Sequence, residues 1–260
     1  TMTNFTWRKQ FFKWCKLRFG PYSEEEWRLK FPNGVDHEQT KRRLNATGLM
    51  KLEDVVETFL DETDGTGVLD ETKTYGDVVQ EHGPMNTWDV SRVTDMHWMF
   101  GYKTKFNAYI GDWDTSNVTE MTSMFDRAAA FNNGAPGGES GPPLEWNTSK
   151  VKVMSMMFEG ATAFNADIGG WDTSKVEYMS DMFRGASAFN QDIRRWNVSN
   201  VRNFMYMFYG ASEFNQNLSD WNQPDKGRVV KQTAYKRDMF MESGVTQKNR
   251  PSWLPVFVVN

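Results

Sequence analysis

The chain is poor in the residues that most often build metal and redox sites. Cys15 is its only cysteine, and its three histidines, His37, His82 and His97, are far apart in the sequence. A disulfide framework and a cysteine-based zinc site are therefore excluded, and the scattered histidines argue against a histidine-rich metal site. A glycine-rich phosphate loop, an HExxH pair and a GxSxG elbow are also missing. We predict no cofactor and no enzyme, although the acidic pairs of glycosidases need no such motif.

Strong charge and long apolar runs are absent as well. The 30 basic and 34 acidic residues leave a net charge of −4 at pH 7, which gives no general attraction to nucleic acid. No apolar run approaches the roughly 18 residues that a membrane-spanning helix needs. Neither nucleic-acid binding nor a helical membrane span is expected.

Large apolar side chains are abundant instead, and they recur at fixed intervals. The chain has 16 methionines, 11 tryptophans and 19 phenylalanines. Tryptophan opens six copies of one pattern, spaced by 25 residues except for one interval of 33; copies 1 to 6 start at Trp88, Trp113, Trp146, Trp171, Trp196 and Trp221. With this Trp as position 1, copies 1 to 5 have Val at position 6, Met or Phe at 9, Met-Phe at 12 and 13, and Phe-Asn at 19 and 20. Such regularity indicates a repeat protein.

Two periodicities alternate within each copy. Position 23, the next Trp and position 3 end in the alternation of a short half-buried strand. Positions 9, 12, 13 and 16 have the spacing of one helical face, and Ser at position 4 or Thr at position 7 can cap that helix. A strand and a short helix in 25 residues predict an α/β repeat: a leucine-rich-repeat-like solenoid of about six 25-residue coils that share one core.

Two polar columns accompany the apolar ones. Position 20 is Asn in copies 1 to 5, which we interpret as a ladder that satisfies backbone groups at the turns, with ligand contacts as the alternative. In copies 1 to 5, position 2 is Asp or Asn, and Ser follows it two residues later. We interpret this pair as a turn; the alternative is a cation held by stacked carboxylates.

The repeat resembles that of a known family. The phrases WDVSRVTDM, WDTSNVTEMTSMF, FNADIGGWDTSKV and FNQDI are similar to the 25-residue repeats of BspA-like leucine-rich surface proteins, a repeat type that also occurs in mycoplasma surface lipoproteins and in algal proteins. The resemblance covers about 135 of the 260 residues. It implies a solenoid that serves adhesion or protein interaction, and it implies no catalytic residues.

Specificity in a repeat protein is expected where the copies differ. The 33-residue interval has eight extra residues within 132–143, NNGAPGGESGPP, which predict a loop that is either a tolerated surface insertion or a contact loop. Positions 8 and 11 should face away from the core, yet they include Trp98, Met156, Tyr178 and Tyr206. Exposed aromatic and Met side chains are typical of interfaces, while packing under flanking segments is the alternative.

The N-terminal segment lies outside the repeat. Residues 1–22 form a basic, aromatic-rich amphipathic helix pattern that includes Trp7, Phe11, Trp14 and Arg18. This pattern suits either docking on a membrane or partner, or capping of the first coil. Two further helices are predicted over 38–45 and 51–61. The following segment ETDGTGVLDETK is superficially like a calcium loop, but Lys73 stands where the bidentate Glu belongs.

The C-terminal segment departs from the repeat too. About seven extra residues precede Met239-Phe240, and the apolar tail around Trp253 is predicted to cover the solenoid edge or to dock into a partner. We divide the chain into a helical docking or capping segment over 1–84, the solenoid over 85–220, and an atypical last coil with the tail over 221–260.

These patterns favour a non-enzymatic protein–protein interaction or scaffolding module with protein partners. One alternative is an accessory peripheral subunit that docks on a membrane surface or a membrane-protein complex through residues 1–22 and the tail. Another is a cell-surface adhesin that binds carbohydrate or calcium. We expect a peripheral, membrane-associated location, at a cell surface or in an organelle lumen. The predicted partner-binding residues are Trp7, Phe11, Trp14, Arg18, Trp98, Met156, Tyr178, Tyr206 and Trp253.

Overall fold

The structure, a computed structural model, describes residues 49–69, 83–137, 139–221, 229–230 and 234–251, with side chains from residue 55 onward. These residues belong to one compact unit that begins at Gly48. The elements within them are the α-helix α1 and three short 3-10 helices; α1 spans Leu49–Glu62, and the 3-10 helices span Met85–Thr87, Ser219–Trp221 and Gln247–Asn249. Turns make up most of the remainder, and no strand is formed within the described residues.

Helix α1 covers the core of copy 1. The prediction of a helix over 51–61 is confirmed, and the helix ends where the N–H of Gly65, at φ 80°, donates to the Leu60 carbonyl at 2.7 Å. Phe59 is fully buried and packs edge-on against Trp88, with ring centroids 5.0 Å apart. The turn behind the helix continues the contact, because the Asn107 N–H donates to the Thr66 carbonyl at 3.0 Å.

Aromatic columns form the core of the repeat. The Phe rings at position 13 stack on those of neighbouring copies at 5.4–5.7 Å, and those at position 19 do so at 5.5–5.9 Å. Within a copy the two rings stack at 3.8–4.2 Å. Each buried Phe stabilises the fold by about 1.5–3 kcal/mol. Neighbouring copies therefore share one continuous core, as the constant apolar positions predict.

The tryptophan that opens each copy from copy 2 onward has a backbone hydrogen-bond partner about one copy-length earlier in the chain. From copy 2 onward, each indole N–H donates at 2.7–3.1 Å to the carbonyl of an apolar residue just ahead of the previous tryptophan. These carbonyls belong to Met85, Ile110, Leu144, Ile168 and Ile193. The bond spans one copy and satisfies the buried polar atom of the tryptophan.

Backbone hydrogen bonds connect the segment from position 9 to position 15 of each copy to the next copy. The N–H groups of positions 9, 11, 13 and 15 donate to the carbonyls of positions 8, 10, 12 and 14; between copies 1 and 2 the donors are Met96, Trp98, Phe100 and Tyr102, at 2.7–3.0 Å. Parallel bridges at position 8 link Asp95, Glu120, Val153, Tyr178, Asn203 and Tyr235 in turn. Adjacent copies thus lie side by side in parallel register.

The helix and the strand that the sequence predicts inside each copy are not formed in the described residues. Positions 9 to 16 are a series of turns, with φ of 50–63° at position 11 in all six copies, from Trp98 to Asp238. A helix would direct the N–H groups of positions 9, 11, 13 and 15 along its own axis, whereas here they donate to the neighbouring copy. The parallel bridges that recur between copies lie at position 8, and one further parallel bridge joins Gly141 to Ala166. Among the described residues, none lies at positions 23, 1 or 3, where the strand is predicted.

The last copy returns to the register of the others despite its extra residues. Tyr235 forms the parallel bridge with Asn203, and Phe240 stacks on Phe208 at 5.4 Å. The extra residues fall between Trp221 and Tyr235, where 222–228 and 231–233 lie outside the described residues. Tail residues 252–260, which include Trp253, also lie outside them.

Candidate functional site

The Asp or Asn side chain at position 2 forms a turn in copies 1 to 5. Its Oδ1 atom accepts the backbone N–H of the Ser two residues later at 2.9–3.2 Å in copies 1 to 5. The Ser hydroxyl and N–H hold the pKa values of Asp89, Asp114 and Asp172 below the usual range. The turn interpretation is confirmed. The column has a structural role that Asn fills as well as Asp.

The Asn column at position 20 forms the predicted ladder. The Oδ1 atom of each Asn accepts the backbone N–H of the Asn in the next copy at 2.7–3.0 Å. The N–H of Thr246 continues the ladder by donating to Asn215 at 3.0 Å. Asn132 is fully buried, while Asn215 is exposed. These amides hold neighbouring copies together, so we do not place a ligand site on them.

Two buried asparagines hold the insertion in copy 2 through side-chain hydrogen bonds. The Nδ2 of Asn132 donates to the carbonyls of Pro136 and Glu139 at 3.0 and 3.1 Å. The Nδ2 of Asn133 donates to two further carbonyls in the same loop at 3.1 Å. Gly141 then forms a parallel bridge with Ala166 in copy 3. The loop is anchored at its base, and a contact role for its exposed residues stays a prediction.

The predicted partner-binding residues fall into two groups. Five of them lie outside the described residues: Trp7, Phe11, Trp14, Arg18 and Trp253. The other four lie on the outer side of positions 8 and 11. Trp98, Met156 and Tyr206 share position 11 and are half-buried, and Tyr178 at position 8 is 40% exposed. The structure therefore brings three of them onto one line across the copies.

That line belongs to a larger surface formed by positions 11, 14 and 15. We call it the carboxylate–aromatic strip; it consists of Trp98, Tyr102, Asp126, Arg127, Met156, Glu159, Asp181, Arg184, Tyr206 and Tyr209. At one end the ring centroids of Trp98 and Tyr102 lie 5.5 Å apart, and at the other end those of Tyr206 and Tyr209 lie 6.0 Å apart. The carboxylates lie between these two aromatic pairs.

Three carboxyl groups in the middle of the strip share a poorly solvated environment. Burial raises the pKa of Asp126 to about 6, and its Oδ1 has no hydrogen-bond partner among the described residues. Burial also raises the pKa of Glu159, with a further rise from the charges of Asp126 and Asp181. The pKa of Asp181 is raised by burial as well. Because Asp126 and Glu159 occupy position 14 of adjacent copies, their like charges oppose each other's ionisation.

Two arginines bridge the carboxylates to the aromatic ends. The guanidinium of Arg127 lies 5.0 Å from the centre of the Tyr102 ring. That of Arg184 lies 5.5 and 5.4 Å from the rings of Tyr206 and Tyr209. Such cation–π contacts contribute about 0.5–1 kcal/mol at exposed sites.

The ion pairs of these arginines are long. Arg127 Nε lies 3.7 Å from Asp126, and Arg184 Nη1 lies 3.8 Å from Glu159 and 3.4 Å from Asp181. Both arginine side chains remain substantially exposed, at 58% and 45%. Within the described residues, the carboxylates are therefore only partly neutralised.

Sequence reasoning missed most of the charged part of this strip. Tyr102, Asp126, Arg127, Glu159, Arg184 and Tyr209 occupy positions 14 and 15. A signal was available, because position 14 reads Gly, Asp, Glu, Arg and Tyr in copies 1 to 5 although it directly follows the invariant Phe. A position that varies next to a constant core residue faces outward, but a helical interpretation of this segment assigned the outward face to positions 8 and 11.

The described residues contain neither a metal-binding cluster nor a membrane-spanning helix. No group of three or more His, Cys, Asp or Glu side chains in them could hold a metal ion. The described part of the chain also contains no helix with the length and apolar character needed to cross a membrane. The carboxylate–aromatic strip is therefore the candidate binding site.

Comparison with known proteins identifies the family. A family model described as "Mycoplasma protein of unknown function, DUF285" matches residues 70–136 and 142–253, more than half of the chain. The matched stretches contain all six tryptophans that open the copies, and the gap between them falls in the insertion. No curated protein and no solved structure matches the chain. The chain belongs to the DUF285 family.

Proposed function

We propose that this protein is a non-enzymatic protein–protein interaction module that binds its partner on the carboxylate–aromatic strip. One observation carries the proposal: aromatic, methionine and arginine side chains, which are enriched at protein interfaces, line up across copies 1 to 5 at variable positions. Tyr102, at one end of the strip, is 47% exposed. The constant residues are occupied by core packing and turn hydrogen bonds, so the variable strip is the surface that can distinguish partners.

The finer family relationship is part of the same proposal. We assign the copies to a leucine-rich-repeat-like solenoid of the BspA-like type, with a role in adhesion or scaffolding. The repeated WDTS and FN phrases support this assignment, as does the parallel register at position 8. The peripheral membrane location and docking through residues 1–22 stay predictions, since those residues lie outside the described part of the chain.

Site-specific crosslinking tests the proposed surface. A photo-crosslinking phenylalanine analogue at Tyr102, on the strip, is compared with the same analogue at Tyr109, which is 37% exposed at position 22 of copy 1. The two sites are matched in residue type and have similar exposure. We expect one defined partner, identified by mass spectrometry in extracts of the source cells, to crosslink at Tyr102 and not at Tyr109.

The same partner gives an affinity test. Tyr206→Ala, at the other end of the strip, is expected to weaken its binding by about tenfold, as truncation of an aromatic interface anchor does. Equal crosslinking from Tyr102 and Tyr109, or unchanged affinity after Tyr206→Ala, would show that the strip is not the binding surface.

A further inference from the structure

The two arginines are the most exposed charged groups of the carboxylate–aromatic strip. The side chains of Arg127 and Arg184 are 58% and 45% exposed. The three carboxylates are recessed beside them, since the side chains of Asp126, Glu159 and Asp181 are only 8%, 18% and 20% exposed. A partner that approaches the strip therefore meets guanidinium groups before it meets carboxylates.

Aromatic rings orient both guanidinium groups. That of Arg127 lies over the Tyr102 ring, and that of Arg184 lies over the rings of Tyr206 and Tyr209. A guanidinium group is planar and carries its N–H donors around its edge, where they match the two oxygens of a carboxylate. Because the rings already restrict these side chains, less freedom is lost when an acceptor binds them.

Each guanidinium group keeps donors that the described residues do not use. An arginine side chain has five N–H donors. Arg184 uses Nη1 toward Asp181 at 3.4 Å, whereas Arg127 Nε lies 3.7 Å from Asp126, beyond hydrogen-bonding distance. Within the described part of the chain, both arginines thus retain N–H groups for an acceptor from outside the chain.

A track of bare backbone runs beside the arginines. Position 15 is Arg127 in copy 2 and glycine in copies 3 to 5, at Gly160, Gly185 and Gly210, while Arg184 directly precedes Gly185. A Cβ added at Gly185 or Gly210 would meet only the backbone of the preceding glycine, at 3.7–3.8 Å. Glycine lets another backbone approach closely. An extended segment therefore has room to lie along the copies beside both arginines.

We propose that the strip binds an acidic segment of the partner protein, whose Asp or Glu carboxylates pair with Arg127 and Arg184 while its backbone follows the glycine track. This inference rests on the proposed function and specifies the partner's chemistry. The net charge of the chain is −4, so the chain as a whole does not attract an acidic segment. The two exposed arginines provide that attraction locally.

Peptide binding to the full chain tests this inference. The probe is a fluorescent peptide of alternating glutamate and glycine, and its affinity is measured by fluorescence anisotropy at near-physiological salt. The same peptide with glutamine in place of glutamate keeps the shape of the side chains but removes their charge. We expect the glutamate peptide to bind about tenfold more tightly than the glutamine peptide.

A pair of matched double variants isolates the strip. Arg127→Gln with Arg184→Gln removes two positive charges from it. Arg194→Gln with Arg202→Gln removes two positive charges at positions 24 and 7 of copies 4 and 5, off the strip, where the side chains are 55% and 57% exposed and also pair with carboxylates. We expect the first pair to weaken glutamate-peptide binding about tenfold and the second less than twofold, while near-ultraviolet circular dichroism shows both folded.

Each outcome decides a different point. Equal loss in the two double variants would indicate a response to overall charge and overturn the inference, as would equal binding of the glutamate and glutamine peptides. If the glutamate peptide fails to bind but Tyr102 still crosslinks a defined partner, the proposed function stands and the acidic segment is wrong. If Tyr102 and Tyr109 crosslink equally, the proposed function itself fails.

Discussion

Asp126 shows how a single residue on the strip departs from its ordinary chemistry. The aspartates at position 2 accept two hydrogen bonds and have lowered pKa values, whereas Asp126 is buried and its Oδ1 accepts none from the part of the chain that the structure describes. Its pKa is therefore about 6 in the folded chain, against 3.8 ordinarily. Since the folded state binds this proton more tightly than the unfolded state, ionisation of Asp126 between pH 4 and pH 6 lowers the free energy of unfolding.

Asp126→Asn is expected to stabilise the protein at pH 7.5. Removing the buried charge should raise the free energy of unfolding by about 1–2 kcal/mol, and the gain should disappear near pH 4, where Asp126 is protonated. Urea unfolding followed by tryptophan fluorescence at both pH values measures it. Asp114→Asn, at an exposed turn that Asn also forms, is the control and should show no such gain. If Asp126→Asn is no more stable than the wild type at pH 7.5, the prediction is wrong.

Sequence reasoning was most successful for residues whose role is repeated. The Asn ladder and the Asp-x-Ser turns follow from one residue type at one position in each copy, and hydrogen bonds confirm both. Asp126 could not be identified in this way. Position 14 is Gly, Asp, Glu, Arg or Tyr in copies 1 to 5, so no repeated residue type marks Asp126.

At the scale of elements, the segment from position 9 to position 16 is where sequence reasoning failed. The spacing of its apolar residues fits a helix, but the segment forms successive turns with positive φ at position 11. Both conformations place positions 9, 12, 13 and 16 inward, so the apolar pattern alone does not distinguish them. The hydrogen bonds to the next copy decide the outcome, and these are contacts between segments about 25 residues apart.

Position 15 allows a test of this turn conformation. Gly185 has φ of 68°, and an added Cβ would meet nothing closer than 3.8 Å, so the cost of Gly185→Ala is conformational. We expect a loss of about 1 kcal/mol in the free energy of unfolding. Gly170→Ala is the matched control, since a Cβ there meets nothing within 4 Å and its φ is not positive. If both substitutions cost the same in chemical denaturation, the left-handed turn is not required.

At the scale of the whole molecule, the contacts between copies are nearly interchangeable. Phe183 stacks on Phe158 at 5.7 Å and on Phe208 at 5.5 Å, and hydrogen bonds at equivalent positions join copy 4 to both neighbours. In such a protein, stability is close to a sum of copies and of the interfaces between neighbours. A copy can then be removed without loss of register.

Deletion of residues 171–195 is expected to give a folded protein of lower stability. Copy 3 would then contact copy 5 through the same positions, so near-ultraviolet circular dichroism and a cooperative thermal transition should persist, with a lower midpoint. Deletion of 171–182 removes about half a copy, breaks the columns and should abolish the cooperative transition. If the two deletions behave alike, the copies are not interchangeable units.

The sequence by itself determined the period, the aromatic core, the two polar columns and helix α1, because each depends on residue types that recur or on a local pattern. Tertiary structure decided the conformation of positions 9 to 16 and the composition of the strip. Those depend on backbone hydrogen bonds between copies and on which variable side chains become neighbours. Trp98, Met156 and Tyr206 could be chosen from the sequence as outward residues, but the carboxylates and arginines between them come together only when the copies pack in register.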